Sequence, residues 1–180
     1  MITGTESCGK TTLTKNLAKI FHTSWSNEVG RDYADHYLGG NESIYTIEDF
    51  EEIARQQYQQ DYHALRTANR VAFFDTDAVV TAYYLELYMN NRSKRVEEFI
   101  DSTKYDLILF LQPNVPWVED GKRFKGDQEE REELNDHLYA MYERFFKPRE
   151  MNKIKIINDF TYYDRTKKAI EIINDLLNGV

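Results

Sequence analysis

The sequence predicts an α/β fold, a five-stranded parallel sheet with helices on both faces. Three observations carry that expectation. Gly4-Thr5-Glu6-Ser7-Cys8-Gly9-Lys10-Thr11 fits the phosphate-binding pattern G-x-x-x-x-G-K-[ST] at every fixed position. Val71-Ala72-Phe73-Phe74-Asp75 is an apolar run ending in a carboxylate, the form of a buried parallel strand that delivers an acid to the sheet edge. Further apolar runs of strand length alternate with stretches of helical periodicity through to the C-terminus.

The first strand is Met1-Ile2-Thr3, short for a strand that feeds such a loop. This predicts a first strand cut short, with another domain ahead of it in a longer polypeptide. In the loop, Gly4 and Gly9 let the backbone turn so that the N–H groups of Thr5, Glu6, Ser7 and Cys8 face a triphosphate. Lys10 brings a mobile charge to the β and γ phosphates, and Thr12 carries the binding set into the helix. The Thr11 hydroxyl suits one ligand position on Mg²⁺. Leu13, Leu17, Ile20 and Phe21 then share one face of that helix.

Thr23 to Asn27 can extend as a second strand, followed by Glu28-Val29-Gly30-Arg31-Asp32-Tyr33-Ala34-Asp35. Ligands in open α/β sheets lie beyond the carboxyl ends of strands, which puts Glu28, Arg31 and Asp32 where a substrate meets the γ phosphate. A solvated loop with a local ion pair is the alternative. Thr46-Ile47-Glu48-Asp49 matches the capping-box pattern and opens a long helix with Phe50, Ile53, Ala54, Tyr58, Tyr62 and Leu65 as its core stripe. Gln56-Gln57 and Gln59-Gln60 read as its solvated flank, or as one wall of an acceptor pocket.

Asp75 ends the third strand and gives Mg²⁺ a second protein contact, usually through water. Asp77 is either the N-cap of a helix over Ala78 to Met89 or a substrate or metal group. A short polar helix over Arg92 to Thr103 precedes a fourth strand within Asp106 to Pro113. Trp117-Val118-Glu119-Asp120-Gly121-Lys122-Arg123-Phe124-Lys125-Gly126 then leads into a charged helix over Asp127 to Phe146 that carries Arg131. Its basic residues between glycines suit a lid closing over phosphates, with a solvated charge run as the alternative. Lys153 to Ile157 forms the last strand, and Thr161 caps a final helix with Ala169, Ile170, Ile173, Leu176 and Leu177 as its stripe.

A length of 180 residues suits one domain. There is no apolar run of membrane-spanning length and no secretory leader pattern, and the single cysteine agrees with a reducing cytoplasm. A net charge of −8 argues against a nucleic-acid partner, whose binding rests on phosphate neutralisation. Small molecules are the expected clients.

Taken together, the loop at Gly4 to Thr11, Glu28-x-Gly30-Arg31, Phe74-Asp75-Thr76-Asp77, and Trp117-Val118-x-Asp120-Gly121-x-Arg123 resemble the ribosylnicotinamide kinase domain of NadR-type bacterial NAD-salvage proteins. That domain is a nucleoside-kinase-like member of the P-loop kinases. The resemblance implies transfer of the ATP γ-phosphoryl, with Mg²⁺, to the 5′ hydroxyl of nicotinamide riboside, and a nucleotidyltransferase domain upstream. Lys10, Thr11 and Asp75 then hold MgATP, and Glu28, with Asp32 second, orients or deprotonates the acceptor hydroxyl. Arg31, Arg123 and Arg131 stabilise charge on the moving phosphoryl, Asp77 and Asp120 bind ribose hydroxyls, and Tyr33 and Trp117 stack on the pyridinium ring. Three alternatives remain: a kinase for another (deoxy)nucleoside, a nucleotide-sensing domain with little turnover, and a GTP-driven switch. The last normally carries an Asn-Lys-x-Asp signature, and Asn152-Lys153-Ile154-Lys155 lacks its final Asp.

Overall fold

The computed structural model describes residues 1–40, 44–116 and 127–179. Its strands are β1 (Ile2–Thr3), β2 (Trp25–Ser26), β3 (Phe73–Phe74), β4 (Ile108–Leu111) and β5 (Ile154–Ile157). The helices are α1 (Lys10–Ile20), α2 (Val29–Tyr37), α3 (Ile47–Thr67), α4 (Ala78–Met89), α5 (Lys94–Ser102), α6 (Gln128–Phe145), α7 (Pro148–Met151) and α8 (Tyr162–Asn178).

All pairings between these strands are parallel, as expected, but they form a three-stranded sheet, β1-β4-β5, and a two-stranded one, β2-β3. The expected single sheet of five is reduced to a single bridge, Ile2 to Asp75, closed by the Thr76 N–H on the Ile2 carbonyl at 3.0 Å. The reason is local. Thr76 adopts a left-handed φ of 68°, which turns the chain away from β1 directly after β3. The spatial order is thus β2-β3-β1-β4-β5, with connections leaving β1 in one direction and β3 in the other. The crevice beside β1 is a topological switch point.

Both faces of the sheet are covered. Along β4 the side chains alternate between two cores, Ile108 and Phe110 with α3 to α6, Leu109 and Leu111 with α1 and α8. The helix starts follow the sequence. Thr46 and Asp49 form the predicted capping box, and the Thr161 hydroxyl accepts the Asp164 N–H at 3.1 Å. The stripe of α3 follows it only in its first half: Phe50, Ile53 and Ala54 are buried, but Tyr58, Tyr62 and Leu65 are exposed, and the buried face continues with Gln57, Asp61 and Ala64. That face keeps helical spacing and includes two polar residues, satisfied by bonds described below. No helix among the described residues is long and apolar enough to cross a membrane.

Candidate active site

β1 runs straight into the phosphate loop, whose shape depends on its two glycines. Gly4 has φ 140°, and a Cβ there would stand 2.6 Å from the Leu111 carbonyl oxygen. Gly9 has φ 83°, and a Cβ there would stand 2.4 Å from the Tyr162 ring. Gly9 is the N-cap of α1 and supplies no side-chain acceptor, so the first-turn N–H groups stay available to an anion at the positive end of the helix. Thr5, Ser7 and Cys8 are buried, Glu6 and Thr11 half-buried, and Thr12 exposed. Lys10 is buried, and its Nζ donates to the Thr5 carbonyl across the loop at 2.9 Å. The Cys8 thiol is fully buried and donates to the Glu6 carbonyl at 3.5 Å, which makes it loop filling rather than a reactive group.

Asp75 follows β3 and is wholly buried, with no hydrogen-bond partner for either carboxylate oxygen among the described residues. Burial, and then the Glu28 charge, push its pKa up to about 6, against the opposing pull of Lys10, Thr11 and Arg31. A buried, orphaned carboxylate near a threonine hydroxyl at a phosphate loop fits Mg²⁺, a hard cation that fills most of its shell with water and phosphate oxygens.

Parallel pairing of Ser26 with Phe74 brings the end of β2 beside the end of β3, and Glu28, the N-cap of α2, follows. Glu28 lines a cavity together with Lys10, Glu6, Arg31, Tyr45 and Tyr84. Glu28 and the phosphate-loop lysine therefore face one space. The turn that carries Glu28 is held by Gln57 from α3. Its Oε1 accepts the Val29 N–H at 3.0 Å, and its Nε2 donates to the Asn27 carbonyl at 3.1 Å and to Asp61 Oδ1 at 2.8 Å. Asp61 also accepts from the Ser26 hydroxyl at 2.5 Å. Gln57 is thus buried and lines the cavity: of its two expected places it takes the pocket wall and not the solvated flank.

Two further expectations change, those for Asp32 and Tyr33, and of the two readings of Asp77 the helix cap is the one formed. Asp32 is exposed, accepts from Asn27 Nδ2 at 3.1 Å and does not line the cavity. Tyr33 donates its hydroxyl to Asp49 at 2.7 Å and packs on Tyr37, so its ring is engaged outside the cavity and its pKa is pushed up to about 12, first by burial. Asp77 is the N-cap of α4: its Oδ1 takes the Val79 and Val80 N–H groups and the Tyr142 hydroxyl, and it too is absent from the cavity wall. Arg31 does line the cavity. Arg131 approaches the phosphate loop from α6, lining a neighbouring apolar cavity of about 260 Å³ with Thr5 and Glu6, and its buried Nε and Nη2 have no partner among the described residues. Trp117, Asp120 and Arg123 lie outside the described residues.

The aromatic wall of the cavity was not anticipated. Tyr45 donates to the Gly30 carbonyl at 3.1 Å, inside the Glu28-x-Gly30-Arg31 turn, and Tyr84 and Tyr88 come from one face of α4. The i, i+4 spacing of Tyr84 and Tyr88 is a usable signal, but in a helix apolar on all sides it does not separate cavity from core.

A phosphate loop at a switch point, with a buried carboxylate on the adjacent strand, defines a P-loop protein of the nucleoside-kinase-like α/β class. A family model described as an AAA domain matches residues 1–157, and the chain belongs to that family. Over 178 residues, 98% of its length, the chain is 35% identical to the trifunctional NAD biosynthesis/regulator protein NadR of Escherichia coli (strain K12), and it spans 42% of that relative. A crystal structure of NadR protein in complex with NR is 27% identical, with a TM-score of 0.81 over 99% of this chain and 51% of that one. A deoxyadenosine kinase from M. mycoides, 14% identical with a TM-score of 0.67 over 97% of both chains, shares the fold.

Proposed function

We propose that this domain transfers the γ-phosphoryl of ATP to the 5′ hydroxyl of nicotinamide riboside, giving nicotinamide mononucleotide, in the cytoplasm and as part of a longer NAD-salvage polypeptide with a nucleotidyltransferase domain upstream. The observation that carries this reading is the single cavity shared by Lys10 and Glu28, in a chain similar along nearly its whole length to a NadR protein in complex with NR, which we take to be nicotinamide riboside.

In this reading the N–H groups of residues 5–9 and the α1 N-terminus cradle the β and γ phosphates, and Lys10 exchanges the Thr5 carbonyl for phosphate oxygen. Thr11 and Asp75 would hold Mg²⁺, which would supply positive charge against that of the phosphates. Glu28 accepts a hydrogen bond from the acceptor hydroxyl and so sets the line of attack on phosphorus. Because the transition state is loose, the proton leaves late, and the carboxylate orients more than it deprotonates. Arg31 and Arg131, with Arg123, stabilise the charge that spreads over the transferring group. The acceptor side suits a cation. Three carboxylates, Glu6, Glu28 and Asp35, stand in its wall against two cations, Lys10 and Arg31, and a pyridinium over the faces of Tyr45, Tyr84 or Tyr88 gains roughly 0.5 to 2 kcal/mol. A neutral deoxynucleoside gains none of this.

The test is product formation with MgATP and nicotinamide riboside, read by mass spectrometry beside adenosine, deoxyadenosine and thymidine. Nicotinamide mononucleotide as the main product is expected. Preference for a neutral nucleoside, or no phosphorylated product at all, would overturn the reading.

A further inference from the structure

Arg165, in the first turn of α8, is only 1% exposed, yet among the described residues its four hydrogen bonds all go to neutral oxygens. Nη1 donates to the Cys8 carbonyl at 2.7 Å and Nε to the Asp159 carbonyl at 2.7 Å. Nη2 donates to the Gln112 carbonyl at 2.6 Å and to Asn114 Oδ1. An arginine stays charged in a protein, and a buried charge without a counter-ion is costly. Here the cation sits directly behind a loop built to receive anions.

The bond to Cys8 is made at the point where it controls a donor. A trans peptide is planar, so its C=O and N–H point in opposite directions. Anchoring the Cys8 carbonyl on the guanidinium from outside the loop turns the Gly9 N–H toward its interior. A charge-assisted bond at one end of the peptide also polarises the other end and strengthens it as a donor. The same helix touches the loop a second time: Tyr162, three residues earlier and so on the same face of α8, lays its ring against Gly9. The remaining bonds tie the ends of β4 and β5 to this anchor, and Asn114 Nδ2 extends it to the Asn158 carbonyl at 2.8 Å.

We propose that Arg165 is a positioning residue of the phosphate loop, holding the Cys8–Gly9 peptide so that its N–H meets the bound triphosphate. The assignment rests on the nucleotide half of the proposed function and is independent of the acceptor.

Binding of Mg·AMP-PNP to the full chain, followed by calorimetry, tests it. Arg165→Met should weaken binding roughly tenfold or more, since a charge-assisted bond and an aligned donor are lost together. Arg165→Lys, which keeps the charge but not the fork, should recover part of the loss. The KM for nicotinamide riboside should stay within about twofold of wild type, where general loosening of the fold would move both substrates. In wild type, the Gly9 amide and the Arg165 guanidinium resonances should both shift on adding Mg·AMP-PNP and not on adding nicotinamide riboside, a measurement that needs no variant to fold. Unchanged nucleotide affinity in a folded Arg165→Met protein, equal weakening for both substrates, or an Arg165 resonance indifferent to nucleotide would overturn the assignment. Wild type that fails to bind Mg·AMP-PNP would overturn the nucleotide reading with it.

Discussion

The phosphate loop combines backbone N–H groups of consecutive residues with the Lys10 side chain, whereas the cavity beside it is lined by side chains that reach it from α2, α3, α4 and Tyr45. A backbone site needs little more than the right φ angles, and two glycines, Ser7 at a φ of 56° and a helix start supply them. A side-chain site needs each contributing element to be held in place by something else. In this protein the holding groups are Gln57, Asp61 and the hydroxyl of Tyr45, which bind the turn around Glu28. The two regions should therefore fail differently: the loop through loss of nucleotide affinity, the cavity through loss of turnover.

The largest effect that separates them is expected at Glu28. Glu28→Gln keeps the shape and removes the charge, and turnover should fall roughly 10²-fold or more, the scale of general-base loss. ATP affinity should stay nearly intact, because the loop does not depend on this side chain. Asp32→Asn, outside the cavity, should leave turnover within about twofold. Steady-state kinetics beside equilibrium ATP binding decide it, and normal turnover in Glu28→Gln with failure in Asp32→Asn would reverse the assignment.

A smaller effect is expected one layer out. Gln57→Leu is close in size, but it strands the buried Val29 N–H and frees the peptides on either side of Glu28. Such a group costs about 1 to 3 kcal/mol, and if the cost falls on the orientation of Glu28, turnover should drop roughly tenfold at constant ATP affinity. The loss should largely vanish when Gln57→Leu is placed in a Glu28→Gln background, because the two act through one contact. Additive losses would mean that Gln57 serves the fold and not the carboxylate.

The contrast also explains how much could be read in the chain. The loop, the Asp75 strand and the helix caps at Thr46 and Thr161 are local patterns, and all of them stand in the structure, with Glu28 on the cavity that Lys10 lines. Gln57 stays undecided between flank and pocket wall, and Asp61 goes unseen, because periodicity sorts residues by polarity, and a polar residue that is buried and bonded has the same letter as a solvated one. Tyr58, Tyr62 and Leu65 were misplaced by the same rule in reverse. Arg165 binds a carbonyl 157 positions away, a contact that no local window contains. Pairing between β3 and β1 fell short because Thr76 takes a left-handed φ that its residue type does not announce.

Asp77 tests which region it serves, with the smallest effect on activity. It is 3% exposed, and burial first of all pushes its pKa from an ordinary 3.8 up to about 6. Below the lower value both folded and unfolded chains hold the proton. Between the two values the folded chain keeps a proton that the unfolded chain has released, so the contribution of Asp77 to stability declines as pH rises and reaches its full penalty above about pH 6. A shift of that size corresponds to something on the order of 3 kcal/mol. Asp77→Asn cannot ionise and keeps the Oδ1 that accepts from Val79, Val80 and Tyr142. Relative to wild type, the variant should therefore gain stability between about pH 4 and about pH 8, read as the difference in urea midpoints. Its turnover and its KM for nicotinamide riboside should change by less than about threefold, because the cap does not line the cavity. A flat stability difference across that pH range, together with a tenfold or larger rise in KM, would take Asp77 out of the helix cap's service and put it at the ribose after all.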